Sequence, residues 1–179
     1  EILEDARKNH YALPAFDISN YDMMKAVLEA CEEERSPALL MALGVDLQGR
    51  DMNLLASMVR SASDYFNIPV CLHLDHATDF SLIKRAIDAG FSSVMYDGSV
   101  LDFDNNAQNT AQVIKYAHTH GITVEAELGH VGNGSVGSIS ETGTDTDPGE
   151  SLTVPEEVAR FVEITDVDAL AEIFLNAIG

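Results

Sequence analysis

The chain has 179 residues, of which 46% are hydrophobic and 22% charged, the balance of a globular domain with one sizeable core. A formal net charge of −20 argues against nucleic acid or an anionic membrane as partner, so a phosphate-bearing ligand would need local donors such as backbone N–H groups. No apolar run approaches the roughly 18 residues of a membrane span, and Glu1-Ile2-Leu3-Glu4-Asp5 lacks the apolar core of a signal peptide.

The chain starts without Met, which leads us to expect residues upstream. Leu13 to Ile18 reads as a short strand. Asn20 is the expected N-cap of a helix in which Met23, Met24, Val27, Leu28 and Cys31 recur at helical spacing. Pro37 to Gly44 encloses a continuous apolar run, and Leu54, Leu55, Met58 and Val59 mark the next helix. Pro69 opens a strand over Val70 to Leu74. Ser81 to Ala89 is expected as a helix with Leu82, Ile83, Ala86 and Ile87 inward and Gly90 as its stop. Ser92 to Tyr96, Asp104 to His120 and Ile122 to Leu128 continue the alternation as strand, helix and strand.

From Gly129 to Ser151 the composition turns to Gly, Ser, Thr and Asp, which predicts a long loop of the lid or binding kind. Pro155 to Val162 resumes helix, and Val167 to Ala171 reads as the start of a sixth strand. Glu172 to Gly179 reads as an amphipathic helix end, not as more strand. Alternating strands and helices with short connections, the strands apolar on both faces, predict a parallel sheet covered by helices. Periodicity leaves a closed (β/α)8 barrel and an open doubly wound sheet equally available. Cys31 falls in a helix and Cys71 in a strand; both read as buried thiols of a reducing cytoplasm.

The chemistry concentrates where strands end. Val70-Cys71-Leu72-His73-Leu74-Asp75-His76 finishes an apolar strand in two histidines around an aspartate. Residues two apart on a strand share a face, so His73 and Asp75 point together, and His76 lies where strand gives way to loop. Asp97 ends the next strand, and Glu125 and Glu127 end the one after. Burying several carboxylates together is costly unless a cation or donors offset them, and a divalent metal is the economical explanation. A core histidine with a capping aspartate is the plain alternative for the tetrapeptide taken alone. His118 and His120, near a helix C-terminus, and His130, in the loop, read as solvated. Asp102 to Asn106 reads as helix capping, since it lacks the central glycine and closing glutamate of a calcium loop.

Cys71 to His76, Ala86 to Met95 and Val124 to Gly129 together resemble the class II, zinc-dependent aldolases of fructose and tagatose bisphosphates, a resemblance that runs from about Glu1 to Ala171. It implies a (β/α)8 TIM barrel, of which this chain would carry five to six βα units as a single domain. It implies cleavage of a phosphorylated ketose to dihydroxyacetone phosphate and an aldehyde, with a zinc ion polarising the ketose carbonyl in place of a Schiff-base lysine. By position, Asp75 matches the proton-exchanging acid/base and His76 a zinc ligand. Asp97 and Glu127 match carboxylates near the metal, and the loop after Glu127 matches a mobile lid. Asp17 and Gly129 fall at substrate-contacting positions, with His73 and Glu125 as support. A second divalent or monovalent cation, a phosphorylated-sugar substrate, a cytoplasmic location and a homodimer or larger homo-oligomer are further implications.

Three departures stand out. Asp17 replaces an asparagine common in relatives, Leu43 replaces a serine, and Gly132-Asn133-Gly134-Ser135 lacks the acidic pair of the lid, Glu141 being the nearest acid. The family's other zinc histidines follow its sixth and seventh strands, and a full barrel takes about 250 residues. A stretch of barrel is therefore expected to be missing between Ala171 and Glu172, with Glu172 to Gly179 from the C-terminal helix. A non-catalytic binding or regulatory relative on the same scaffold, and a different divalent-metal lyase or hydrolase, are the alternatives.

Overall fold

The structure, a computed structural model, describes residues 2–129 and 153–172. Six parallel strands lie side by side in chain order: β1 (Ala15–Asp17), β2 (Ala38–Leu43), β3 (Val70–Ala77), β4 (Ser93–Tyr96), β5 (Thr123–Leu128) and β6 (Ala169–Glu172). Helices α1 (Ile2–Asn9), α2 (Tyr21–Glu33), α3 (Asp51–Ser63), α4 (Phe80–Ala89), α5 (Phe103–Thr119) and α6 (Pro155–Thr165) alternate with them. Strictly sequential parallel order is that of a (β/α)8 barrel; an open doubly wound sheet would reverse its order at a switch point.

Local chemistry accounts for most boundaries. The Asn20 side chain accepts the Met23 N–H and starts α2. Gly90, at φ 100°, takes the left-handed conformation that stops α4. Asp102 caps α5 by accepting the Asn105 N–H, which confirms the capping reading of that acidic stretch. α1 was not expected: it buries only Ala6, so the apolar periodicity that reveals a helix is nearly absent. Its acids in the first turn and bases in the last suit the helix dipole.

Two expectations need correction. Glu172 is not helical; it extends β6 and pairs with Leu128, so the ladder carries its register across Ala171 and Glu172. The strands are also not apolar on both faces. The helix-facing residues Leu40, Leu72, Leu74, Val94 and Val124 join Ile83, Ala86, Val113 and Ala117 in one large core. A smaller cluster of Ala107, Ala126, Leu128 and Phe161 seats α5 and α6 on the end of the sheet. The opposite face of β3 to β5 is mostly polar, with Met95 beside Glu125 as its buried apolar member. Residues 130–152, which hold most of the expected lid and His130, and residues 173–179 lie outside the described part. Among the described residues no helix is long and apolar enough to cross a membrane.

Candidate active site at the strand tips

The polar face is built by alternation. Burial alternates along β2, and register pairs Asp17 with Met41, Met41 with His73, and His73 with Ser93. Leu43 pairs with Asp75, and Glu125 and Glu127 pair with Ala169 and Ala171. Residues paired across a sheet share a face. The concave face therefore carries Asp17, His73, Asp75, Ser93, Asp97, Glu125 and Glu127.

β3 does not stop at Leu74, where the sequence predicts its end. It runs to Ala77 through an irregularity between Leu74 and Ala77, where His76 adopts φ 45°. A non-glycine residue held there stores strain of order 1–3 kcal/mol, the kind that persists where surrounding contacts over-determine it. Those contacts are present. His76 Nδ1 lies 3.0 Å from Asp97 Oδ2 and 3.7 Å from Glu127 Oε2, and Nε2 lies 4.0 Å from Asp75 Oδ1. His76, Asp97 and Glu127 offer ligand atoms within 4.8 Å of one another.

Each group is tuned by its neighbours. The hydrogen bond to Asp97 raises the His76 pKa to about 9 against the opposing effect of burial. The same bond, with the Ser99 N–H and hydroxyl donating to Oδ1, depresses Asp97 to about 2. Burial and then the Asp97 charge push Glu127 up to about 7. Burial also raises Asp75, with the charges of Asp17 and Asp97 adding to it against the His76 cation.

One step deeper lies a second polar layer. His73, 3% exposed, places Nδ1 2.8 Å from the Ser93 hydroxyl and Nε2 3.6 Å from Glu125 Oε2. Burial lowers its pKa to about 4, so the ring is neutral at pH 7. With the Ser93 hydroxyl as donor the ring proton sits on Nε2, facing Glu125, and with Nδ1–H as donor the hydroxyl accepts. Burial raises the Glu125 carboxyl. His73 and Glu125 thus lie beneath the tip cluster. Asp17 ends β1 on the same face but is exposed, and Gly129 directly follows β5 at φ 85°.

One imidazole and two carboxylates meet at the C-terminal ends of three neighbouring parallel strands, beside a buried carboxyl of raised pKa, a set of groups that can hold a cation and exchange a proton. The class-II fructose-bisphosphate aldolase family model matches residues 1–179. The chain belongs to that family. A fructose-bisphosphate aldolase of Giardia intestinalis is 39% identical over 172 residues, covering 96% of this chain and 51% of that protein. The YdjI aldolase of Escherichia coli K12 superposes with a TM-score of 0.81 at 31% identity, over 96% of this chain and 59% of its own. The Campylobacter jejuni fructose-bisphosphate aldolase gives a TM-score of 0.80 at 25% identity, over 99% and 57%. This class II aldolase-family chain thus spans about half the length of its curated relative, and its six strands match part of a (β/α)8 barrel.

Sequence reasoning placed all four tip residues but missed Ser93, Ser99 and Asn106. Ser93 and Ser99 lacked any signal beyond position. Asn106 was read only as part of a capping run, although it is 2% exposed and donates to the Glu127 carbonyl. Its setting inside an amphipathic helix, level with Ala107 and Thr110, is the sign that could have found it.

Proposed function

We propose that this chain carries the acid/base and a cation-binding part of a metal-dependent aldolase. The enzyme cleaves or forms a carbon–carbon bond in a phosphorylated ketose, giving dihydroxyacetone phosphate and an aldehyde. The observation that carries this reading is the meeting of buried Asp75 with the His76, Asp97 and Glu127 cluster at one end of the sheet. The donor set fits a divalent ion: one borderline nitrogen and two hard oxygens are acceptable to zinc. Glu127 sits desolvated beside the ionised Asp97, a repulsion that a cation relieves.

When bound there, zinc supplies Lewis-acid polarisation of the substrate carbonyl. The protein's own residues do the rest. Asp75 exchanges a proton with the hydroxyl of the aldehyde fragment, a task suited to a carboxyl whose pKa is raised toward neutrality. Before a cation binds, Asp97, fixed by Ser99, orients the His76 ring through Nδ1. Asp17, on the same face, accepts hydrogen bonds from sugar hydroxyls, and Gly129 lets the chain turn close to the substrate. A second cation is compatible with the Glu125 carboxylate below. The chain is read as one barrel domain of a cytoplasmic homo-oligomer, in keeping with the unpaired Cys31 and Cys71.

Release of dihydroxyacetone phosphate from a panel of ketose phosphates tests this. Cleavage should stop on chelation and return with zinc. Cleavage indifferent to chelator, or none with zinc supplied, would refute the reading. A binding or regulatory relative is the second reading. It is favoured by Leu43, an apolar residue paired with Asp75 where a substrate-facing polar group would be useful.

A further inference from the structure

The turn after β4 and the tip of β5 are joined by a side chain from a third element. The β4–β5 ladder ends at Tyr96 and Ala126, one residue short of Asp97 and Glu127. Beyond it, Asn106 reaches in from the first turns of α5. Its Nδ2 donates to the Glu127 carbonyl at 2.9 Å, and its Oδ1 accepts the Thr110 hydroxyl at 3.2 Å. Both ends of the amide are thus engaged, as burial at 2% exposure requires.

The same amide packs on the residue that follows Asp97. A Cβ added to Gly98 would lie 2.2 Å from Asn106 Oδ1 and 2.8 Å from its Cγ. Only glycine lets the backbone come that near. The position of α5 is itself set locally, by the Asp102 cap and by the Asn106 N–H donating to the Asp102 carbonyl at 2.9 Å. Asn106 therefore locates the Glu127 peptide and the Asp97–Gly98 turn against one rigid helix.

We propose that Asn106, seated on Gly98 and bonded to the Glu127 carbonyl, is a positioning residue that holds the two carboxylates of the cation cluster at their working separation. The proposal rests on the reading that His76, Asp97 and Glu127 hold a divalent cation. Asn106 touches none of their ligand atoms in the contacts described; it acts through the backbone that bears Glu127 and the turn that bears Asp97. A cluster whose members sit on three separate strands needs such a brace, since each ligand's place is set by the chain beneath it.

The test measures Co2+ affinity of the full chain by its visible absorption, together with the urea midpoint, for four variants. Asn106→Leu removes the donor and leaves the Glu127 carbonyl unpaired, and Asn106→Asp keeps the shape while replacing the donor by oxygen. Val113→Ala weakens the core packing of the same helix, and His76→Ala removes a ligand. Both Asn106 variants should bind Co2+ at least about tenfold more weakly, the scale of lost outer-shell support. Val113→Ala should lose stability while staying within about twofold of the unaltered affinity. Full affinity in whichever Asn106 variant folds overturns the proposal. So does an equal affinity loss in Val113→Ala, which would show that binding merely follows stability. Absence of binding by the unaltered chain, or binding untouched by His76→Ala, overturns the cation reading, and the positioning role falls with it.

Discussion

Along β3 the helix-facing residues Leu72 and Leu74 are buried among hydrocarbon, whereas His73 and Asp75 of the same strand meet Ser93, Glu125 and His76 on the concave face. Both sets are buried, yet burial means different things. On the helix side it is favourable, about 25 cal/mol for each Å² of apolar surface removed from water. On the concave side it works against the charged forms, raising Asp75, Glu125 and Glu127 and lowering His73. One face stabilises the sheet, and the other holds groups whose proton affinities have been moved toward neutrality or out of the physiological range. The lesson is that a single strand can keep foldability and chemistry apart by the two-residue period of its side chains.

Exchanging residues on each face separates these roles. Asp75→Asn removes the acid/base while keeping shape, and ketose-phosphate cleavage should fall by about 10²–10⁴-fold, with the urea midpoint nearly unchanged. A comparable drop in stability would mean that Asp75 belongs to the folding side. Leu74→Ala should do the reverse, costing about 2–5 kcal/mol of stability through the cavity it leaves at a fully buried site. Its turnover per folded molecule should stay near that of the unaltered chain.

His73 gives a smaller, pH-dependent signal. Its folded pKa near 4 lies below the unfolded value of 6.5, so folding favours the neutral ring. Its contribution is complete above about pH 6.5 and is lost as pH falls toward 4, to a total of about 3 kcal/mol. The difference in unfolding free energy between the chain and His73→Asn should track that window. A pH-independent difference would mean that folding leaves the His73 pKa at its unfolded value. The smallest effect concerns His76. At φ 45°, His76→Gly should be more stable than His76→Ala by about 1 kcal/mol in denaturant unfolding. Equal stabilities would mean the backbone relaxes once the imidazole is gone.

How much of this was legible varied with the range of the interaction. β2 appeared within its flanking Pro37 and Gly44, the Asn20 cap and Gly90 stop were read directly, and Asp75, His76, Asp97 and Glu127 were placed at strand ends. α1 escaped because it buries a single alanine, and β3 outran its apolar segment because β2 pairs with it as far as Asp75 and β4 pairs with it again at Ala77. Glu172 was misread because an acidic residue followed by an apolar run has helical character, while its pairing with Leu128 is decided by a distant strand. Asn106 was invisible as a site residue since its partners, Gly98 and the Glu127 backbone, lie in other elements.

The amino-acid sequence by itself determined the alternation of strands and helices, the family, and which strand tips carry imidazole or carboxylate. Those properties depend on residues within a few positions of one another and on local motifs. The tertiary structure alone decided that His76 turns through a left-handed bulge to meet Asp97 and Glu127. It also decided that His73 faces Ser93 and Glu125, and that an asparagine on α5 bonds the Glu127 backbone. The reason is physical: these contacts join side chains about twenty to fifty residues apart, and only the register of parallel strands and the seating of α5 bring them within reach.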